Sequence, residues 1–270
     1  MKLIIRADDF GITDSVTWGI MRGLKEGIIT STGVMTNMPS SEVACQQAKK
    51  HPEYCFGQDI NIATGKSVAE KELLPTMVDE NGYFRRSPII RKMIKEGIEP
   101  FPYEEVKTEI KAQVNKFIKC VGRKPAYLNG HAFRSPNFSQ ALKDVASEYD
   151  IICMDEVVEK YDLENKGFLS SGRFQQGWYQ MPFESLTQLH TDAESFFIEH
   201  VNELLGRDIS YVICHPGYID QDLMECSSLN LVRMRDLQLC LSPKVKQLLD
   251  DKGIELISIT EFCEFYDKNQ

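Results

Sequence analysis

Residues 2–26 read KLIIRADDFGITDSVTWGIMRGLKE, and the fold can be worked outward from them. The run from Lys2 to Arg6 is short and apolar and stops at a polar cluster. Beyond it Val16, Ile20, Met21 and Leu24 recur with the spacing of one helical face. The stretch is a strand, a loop and a helix. The same unit then repeats along the chain. TSTGVMT at 30–36 predicts a second strand, followed by a helix that opens on the capping pattern Ser40, Ser41, Glu42 and ends at His51 and Pro52. FGQDINI at 56–62 predicts a third strand. Val106, Ile110, Val114, Phe117, Ile118 and Val121 mark a long amphipathic helix over 102–121 that leads into the strand AYLNGH. Helical stretches at 139–149, 191–205 and 233–251 lead in turn to the strands IICM (151–154), YVICHPG (211–217) and ELISI (255–259).

Seven strands alternating with helices imply right-handed crossovers and a mostly parallel sheet, either open or closed into a barrel. The 270 residues are close to the roughly 250 of a (β/α) barrel, and the notable polar residues fall where apolar strands end, the face on which barrels build active sites. The expectation is an α/β fold, a single TIM-like domain over 1–270. The segment 63–101, richer in Lys, Glu, Gly and Pro, is expected to be an insertion serving as a lid or an oligomer contact. No G-x-G-x-x-G follows the first strand and no Walker A pattern occurs, so no nucleotide site is expected.

Composition narrows the partners. With 31 basic and 40 acidic residues the net charge is -9, which opposes phosphate backbones and anionic lipid and excludes nucleic acid and membrane as partners. Neither a secretory apolar region nor a spanning stretch is present, so a cytoplasmic location is expected. The eight cysteines are scattered and include no C-x-x-C pair, which predicts reduced, mostly buried thiols. Cys214 beside His215 lies in the apolar run YVIC, where neighbouring side chains point to opposite sides. It is expected to pack rather than react.

The chemistry gathers at four strand ends: Asp8 and Asp9, then Asp59 and Asn61, then Asn129 and His131, then His215. Adjacent aspartates are costly to keep ionised together unless a cation or donors offset their repulsion. One metal ligand beside one proton acceptor is a natural division of labour for Asp8 and Asp9. Capping of the helix near Asp14, or holding of the loop at Gly11, is the structural alternative for either. His51 and His190 fall in loops and His200 within a helix, where solvated roles are expected.

The opening RADDFGITDSVTWGIMRGLKEGIITSTGVMTNMP, the stretch PAYLNGH, and YVICHPGYID with the following SSLNLVRMRDLQLCLSPKVKQLLDDKGIELISITEF resemble the YdjC-like carbohydrate deacetylases, a family that includes chitooligosaccharide deacetylases. The resemblance implies a distorted (β/α) barrel, often a homodimer, that binds one divalent metal ion, magnesium, manganese or zinc. It further implies removal of acetyl groups from N-acetylated mono- or oligosaccharides in carbohydrate catabolism. By position, Asp8 would be the general base, Asp9 and His131 metal ligands, and His215 the group that protonates the departing amine or supports the tetrahedral intermediate. Two departures stand out. Where the family has a histidine in a G-L-H-L-N-L-like strand, this chain has Asp59. Where the family shows H-x-D-x-H-x-H, this chain has Tyr127, Asn129, His131 and Phe133, so only the central histidine remains. Carboxylate in place of imidazole hardens the site and shifts preference from zinc toward manganese or magnesium.

Asn61, Arg134 and Tyr218 are the expected saccharide contacts, with Trp178 and Tyr179 in a nearby loop offering aromatic faces to pyranose rings. Arg134 and Arg173 would meet a phosphorylated sugar. Two other functions remain open from sequence. One is a sugar-binding barrel without metal or catalysis. The other is a hydrolase of a phosphorylated disaccharide using Asp8 and Asp59 as its two carboxylates.

Overall fold

The computed structural model describes residues 1–161, 184–203 and 208–268. Seven strands form one sheet: β1 (Lys2–Phe10), β2 (Ser31–Val34), β3 (Cys55–Ile60), β4 (Tyr127–Gly130), β5 (Ile152–Cys153), β6 (Ile209–Cys214) and β7 (Glu255–Leu256). They lie in the order β5-β4-β3-β2-β1-β6, with β7 joined to β1. Every pairing among them is parallel. All seven expected strands are therefore present. The helices α1 (Asp14–Glu26), α2 (Ser41–Lys50), α3 (Ser87–Lys95), α4 (Tyr103–Val121), α5 (Pro136–Tyr149) and α6 (Met154–Lys160) occupy the first crossovers. α1 starts where the Thr13 hydroxyl accepts from the Val16 N–H, which satisfies an otherwise orphaned first-turn donor.

β1 is the hub. One of its edges pairs with β6 from Lys2 to Ala7, so β7 at Lys2 and Leu3 and β2 from Arg6 onward share the other. Among the described residues β5 and β6 do not pair, so the expected (β/α) barrel is present in a distorted form whose sheet is not closed. The physical reason lies at β5. It is two residues long because α6 begins immediately behind it, leaving no ladder to extend the sheet.

Strand parity sorts the core into an outside and an inside. Leu3, Ile5 and Ala7 of β1 pack outward with Val16, Ile20, Cys214 and Cys240. Ile4 points inward with Cys55, Tyr127, Ile209 and Tyr211, where Ile257, Ile259 and Phe262 of the C-terminal segment join them. The last helix, Ile259–Lys268, thus stoppers the end at which the strands begin. Moving along β1, the inward positions run Ile4, Arg6, Asp8, and on β3 Cys55, Gly57, Asp59. The interior turns from apolar to charged toward the strands' C-terminal ends.

The segment 63–101 is moored rather than hinged. Leu74, Met77, Phe84, Ile90 and Phe101 share a buried cluster with Val106 and Ile110 of α4 and Phe138 of α5. The buried Glu109 carboxylate accepts from the Val68 and Ala69 N–H groups at 2.9 Å each, and Glu105 accepts from those of Thr76 and Met77. The insertion is thus packed against an outer helix. No helix among the described residues is long and apolar enough to cross a membrane. The eight cysteines are free, and Cys214 is buried with its Sγ 3.6 Å from that of Cys240, as its place in an apolar strand predicted.

Candidate active site

Asp8 and Asp9 are neighbours on a strand and would ordinarily face opposite sides. A register shift between Ala7 and Phe10 prevents this. Asp9 sits there at φ 71°, a left-handed conformation that costs a non-glycine residue about 1–2 kcal/mol and that aspartate tolerates better than most. The kink is held by the Thr32 hydroxyl, which donates to the Ala7 carbonyl at 2.7 Å, and by the Met35 N–H, which donates to the Phe10 carbonyl at 2.8 Å. Both aspartates thereby serve the same end of the sheet.

Each has a guanidinium partner. Arg6, two residues before Asp8 and on the same strand face, donates from Nε to Oδ1 at 2.7 Å and from Nη2 to Oδ2 at 2.8 Å. Arg233, at the start of the helix Arg233–Leu241, donates from Nη2 to Asp9 Oδ2 at 2.5 Å. Burial alone would raise the Asp9 carboxyl. The charge of Arg233, followed by those of His131 and His215, overcomes it and holds the group well below the usual carboxylate range. His131 follows β4, with its N–H on the Ile60 carbonyl and its Nδ1 3.3 Å from Asp9 Oδ1. His215 follows β6, and its N–H donates to Asp236 Oδ2 at 2.8 Å. Arg233 and Asp236 are three residues apart on one helical face, so a single helix braces both Asp9 and the His215 backbone.

Asp59 is fully buried on β3. Its Oδ1 accepts from Asn129 Nδ2 at 3.0 Å. Burial, then the charge of Asp8, pushes its carboxyl up to about 6 against the opposing pull of Arg6. Gly33 on β2 makes room for it, since a Cβ there would stand 2.3 Å from the Asp59 carboxyl carbon.

A cleft of about 600 Å³ opens beside this cluster, lined by Arg6, Asp8, Asn129, Arg134, Asp155 and Tyr211 among others. Arg134 belongs to its wall. That side chain donates to the Gly130 carbonyl and Asn129 Oδ1 and lies 3.4 Å from Asp155. Two other expected saccharide contacts are placed differently. Asn61 is fully buried, and its amide is committed to Asn37, Ala63 and Thr64, so it shapes a loop instead of facing the cleft. Tyr218 does not line the cleft. It is exposed over α1, where its hydroxyl accepts from Arg22 at 3.2 Å. Trp178, Tyr179 and Arg173 lie outside the described residues.

The donor chemistry suits a hard divalent cation. Asp9 Oδ1 and Asp59 Oδ2 are buried carboxylate oxygens without a hydrogen-bond partner, and each is a lone-pair donor that burial leaves unsatisfied. His131 stands beside the first of them. Among the described residues, no three His, Cys, Asp or Glu side chains are drawn together as a finished ligand set, so the donors fit in kind but not in spacing.

Arg6, Arg233, Asp236 and Asp155 were not singled out from sequence. Arg6 carried a usable signal, a charged residue inside an apolar strand at the two-residue spacing that puts it on the face of Asp8. Arg233 had none, because its partner lies 224 residues away.

An open parallel α/β barrel with buried aspartates and arginines and part-buried histidines toward its C-terminal strand ends defines the class, and comparison identifies the group within it. The chain belongs to the YdjC-like family, whose model matches residues 2–251. Carbohydrate deacetylase 2 of Listeria innocua is 30% identical over 261 residues, 96% of this chain and 97% of that protein. A carbohydrate deacetylase of Clostridium beijerinckii is 26% identical over 271 residues, 97% of this chain and all of that one. Among solved structures, an Enterococcus faecalis V583 protein named for cellobiose-phosphate cleavage aligns with a TM-score of 0.75 and 25% identity, over 95% of this chain and 97% of its own.

Proposed function

We propose that this protein is a carbohydrate deacetylase, a hydrolase that removes acetyl groups from N-acetylated mono- or oligosaccharides. The observation that supports this reading is that Asp8, Asp9, Asp59, His131 and His215 all stand at or just beyond the C-terminal ends of β1, β3, β4 and β6, with Asp8 in the wall of a sugar-sized cleft. The names of the Listeria and Clostridium relatives support the same chemistry.

Asp8, on the cleft wall, takes the proton of the attacking water, a transfer worth about 10² to 10⁴ in rate. His215, its backbone pinned by Asp236, gives a proton to the departing nitrogen. Asp9, Asp59 and His131 offer donors of the kind a divalent ion takes, and an ion that drew them together would polarise the acetamide carbonyl and acidify water. Arg134, half-exposed in the cleft, is the guanidinium a phosphorylated sugar would meet. Eight free thiols support a reducing, cytosolic setting.

A second function has its own support. Asp8 stands in the cleft wall near Asp59, whose carboxyl is pushed up to about 6 by burial and then by the charge of Asp8, a carboxyl pair of the kind glycosidases use, and the Enterococcus protein is named for cellobiose-phosphate cleavage. One assay separates the two. The protein is incubated with N,N′-diacetylchitobiose, its 6-phosphate and cellobiose 6-phosphate, with magnesium, manganese or zinc in turn. Acetate release without new monosaccharide is the expected result, and monosaccharide release without acetate would replace the deacetylase with the glycosidase.

A further inference from the structure

We propose that Arg6 is a positioning residue of the reaction, a buried fork that fixes the plane of the Asp8 carboxylate so that its remaining lone pairs face the cleft. The inference rests on Asp8 acting in the proposed deacetylase. Its geometric basis is independent of that. Arg6 is 2% exposed, and Nε and Nη2 each meet a different oxygen of Asp8, at 2.7 and 2.8 Å. A two-point contact between two planar groups removes the rotation that a single hydrogen bond would allow.

The fork is itself held from behind. The Arg6 guanidinium carbon lies 5.6 Å from the centre of the Tyr211 ring, and Tyr211 lines the same cleft from β6. Arg6 and Asp8 also sit two residues apart on β1, whose edges are paired with β6 on one side and with β7 and β2 on the other. Arg6 thus stands on the paired part of a central strand, and Asp8 lies one residue past Ala7, where the register shifts and the Thr32 hydroxyl holds the Ala7 carbonyl. Each oxygen of Asp8 gives one lone-pair direction to Arg6 and keeps another. A water approaching from the cleft meets a carboxylate already oriented, and misplacement of about 1 Å can cost 10²-fold in rate. Lysine cannot replace this, because an ammonium is a point charge that reaches the carboxylate without setting its plane.

The test uses Arg6→Lys, which keeps the charge, and Arg6→Gln, which keeps polarity alone. Acetate release from N,N′-diacetylchitobiose is measured across substrate concentration, and the crystal structure of Arg6→Lys is determined. The expected result is a fall in kcat of about 100-fold in Arg6→Lys with KM within about threefold, and an Asp8 carboxylate rotated away from its wild-type plane. A kcat within threefold of wild type, a loss confined to KM, or an unmoved Asp8 in the Arg6→Lys crystal overturns the assignment. If Arg6→Gln does not fold, Arg6→Lys decides. If the wild-type protein releases no acetate, the deacetylase function falls, and the orientation of Asp8 in the crystal still decides for or against the fork.

Discussion

Replacing Arg233 with methionine should destabilise the protein more than any other single change at the site. The Arg233 and Asp9 side chains are 1% and 4% exposed. Methionine fills much of the volume but leaves Asp9 a buried charge without its cation, and breaking a buried pair in this way costs about 3–5 kcal/mol. A further ~1 kcal/mol comes from the Leu229 carbonyl, which accepts from Arg233 Nε at 2.8 Å. For a chain of this size each kcal/mol shifts the melting temperature by about 2–4 °C, so a fall of roughly 10 °C is expected at pH 7. Adding Asp9→Asn removes the stranded charge and should recover about half the loss. The pH dependence supplies a second check. In the wild type Asp9 is held low, so its stabilisation is present above the ordinary carboxylate value and is lost only as pH falls through the depressed folded value. In Arg233→Met the folded value rises instead, and the deficit should shrink as the pH is lowered from 7 to 4. Urea and thermal denaturation of the four members of the cycle measure both effects. A loss below about 1 kcal/mol, or single effects that add within ~0.5 kcal/mol, would refute the account of Asp9 as a charge kept buried by Arg233.

Asp8→Asn should abolish acetate release while leaving bound divalent metal, read by elemental analysis, at the wild-type level; metal loss would make Asp8 a ligand. Gly33→Ala should displace the Asp59 carboxyl, because the new methyl meets it at 2.3 Å, and the variant is expected to melt lower and retain less divalent ion after dialysis. Burial pushes the Glu109 carboxyl up to about 7, against the backbone N–H groups that favour its charged form. Since its folded value lies above its unfolded one, its contribution is full below the ordinary glutamate value and is lost as pH rises through about 7. Stability should therefore decline by about 3 kcal/mol between pH 4.5 and 8, and Glu109→Gln should flatten that slope in denaturant titrations.

The strands and their order of chemistry were legible because each is an apolar run that stops at a polar residue. Local spacing carries that information. The direction of Asp9 was not legible, since it depends on a kink that Thr32 and Met35 hold from another strand. The loop partners of Asn61 were not legible for a related reason: a polar residue at a strand end looks the same in sequence whether it faces a ligand or ties down a loop, and its bonds to Asn37, Ala63 and Thr64 appear only in the fold. Tyr218 followed His215 closely in sequence, yet the chain after Gly217 runs along α1 and carries its ring over Arg22. The barrel was legible from length and alternation, while the place where it opens was not, because it depends on α6 beginning straight after Cys153 and cutting the fifth strand short. Arg233 and Asp236 were beyond any local pattern, because they matter only once their helix is packed beside the first strand.

The pairing of β1 with β6 and β7 has a consequence for biosynthesis. Once β1 has left the ribosome it finds only β2 nearby, while its whole other edge waits for residues 209–214. At about 5–20 residues per second, the roughly 200 intervening residues keep that edge bare for about 10–40 s. The apolar stopper contributed by Ile257, Ile259 and Phe262 arrives later still. Nascent chains of this protein are therefore expected to carry an unsealed hydrophobic edge until residues 209–214 emerge, engaging holdase chaperones meanwhile, and chains halted before Ile209 should be cleared rather than accumulate as folded fragments.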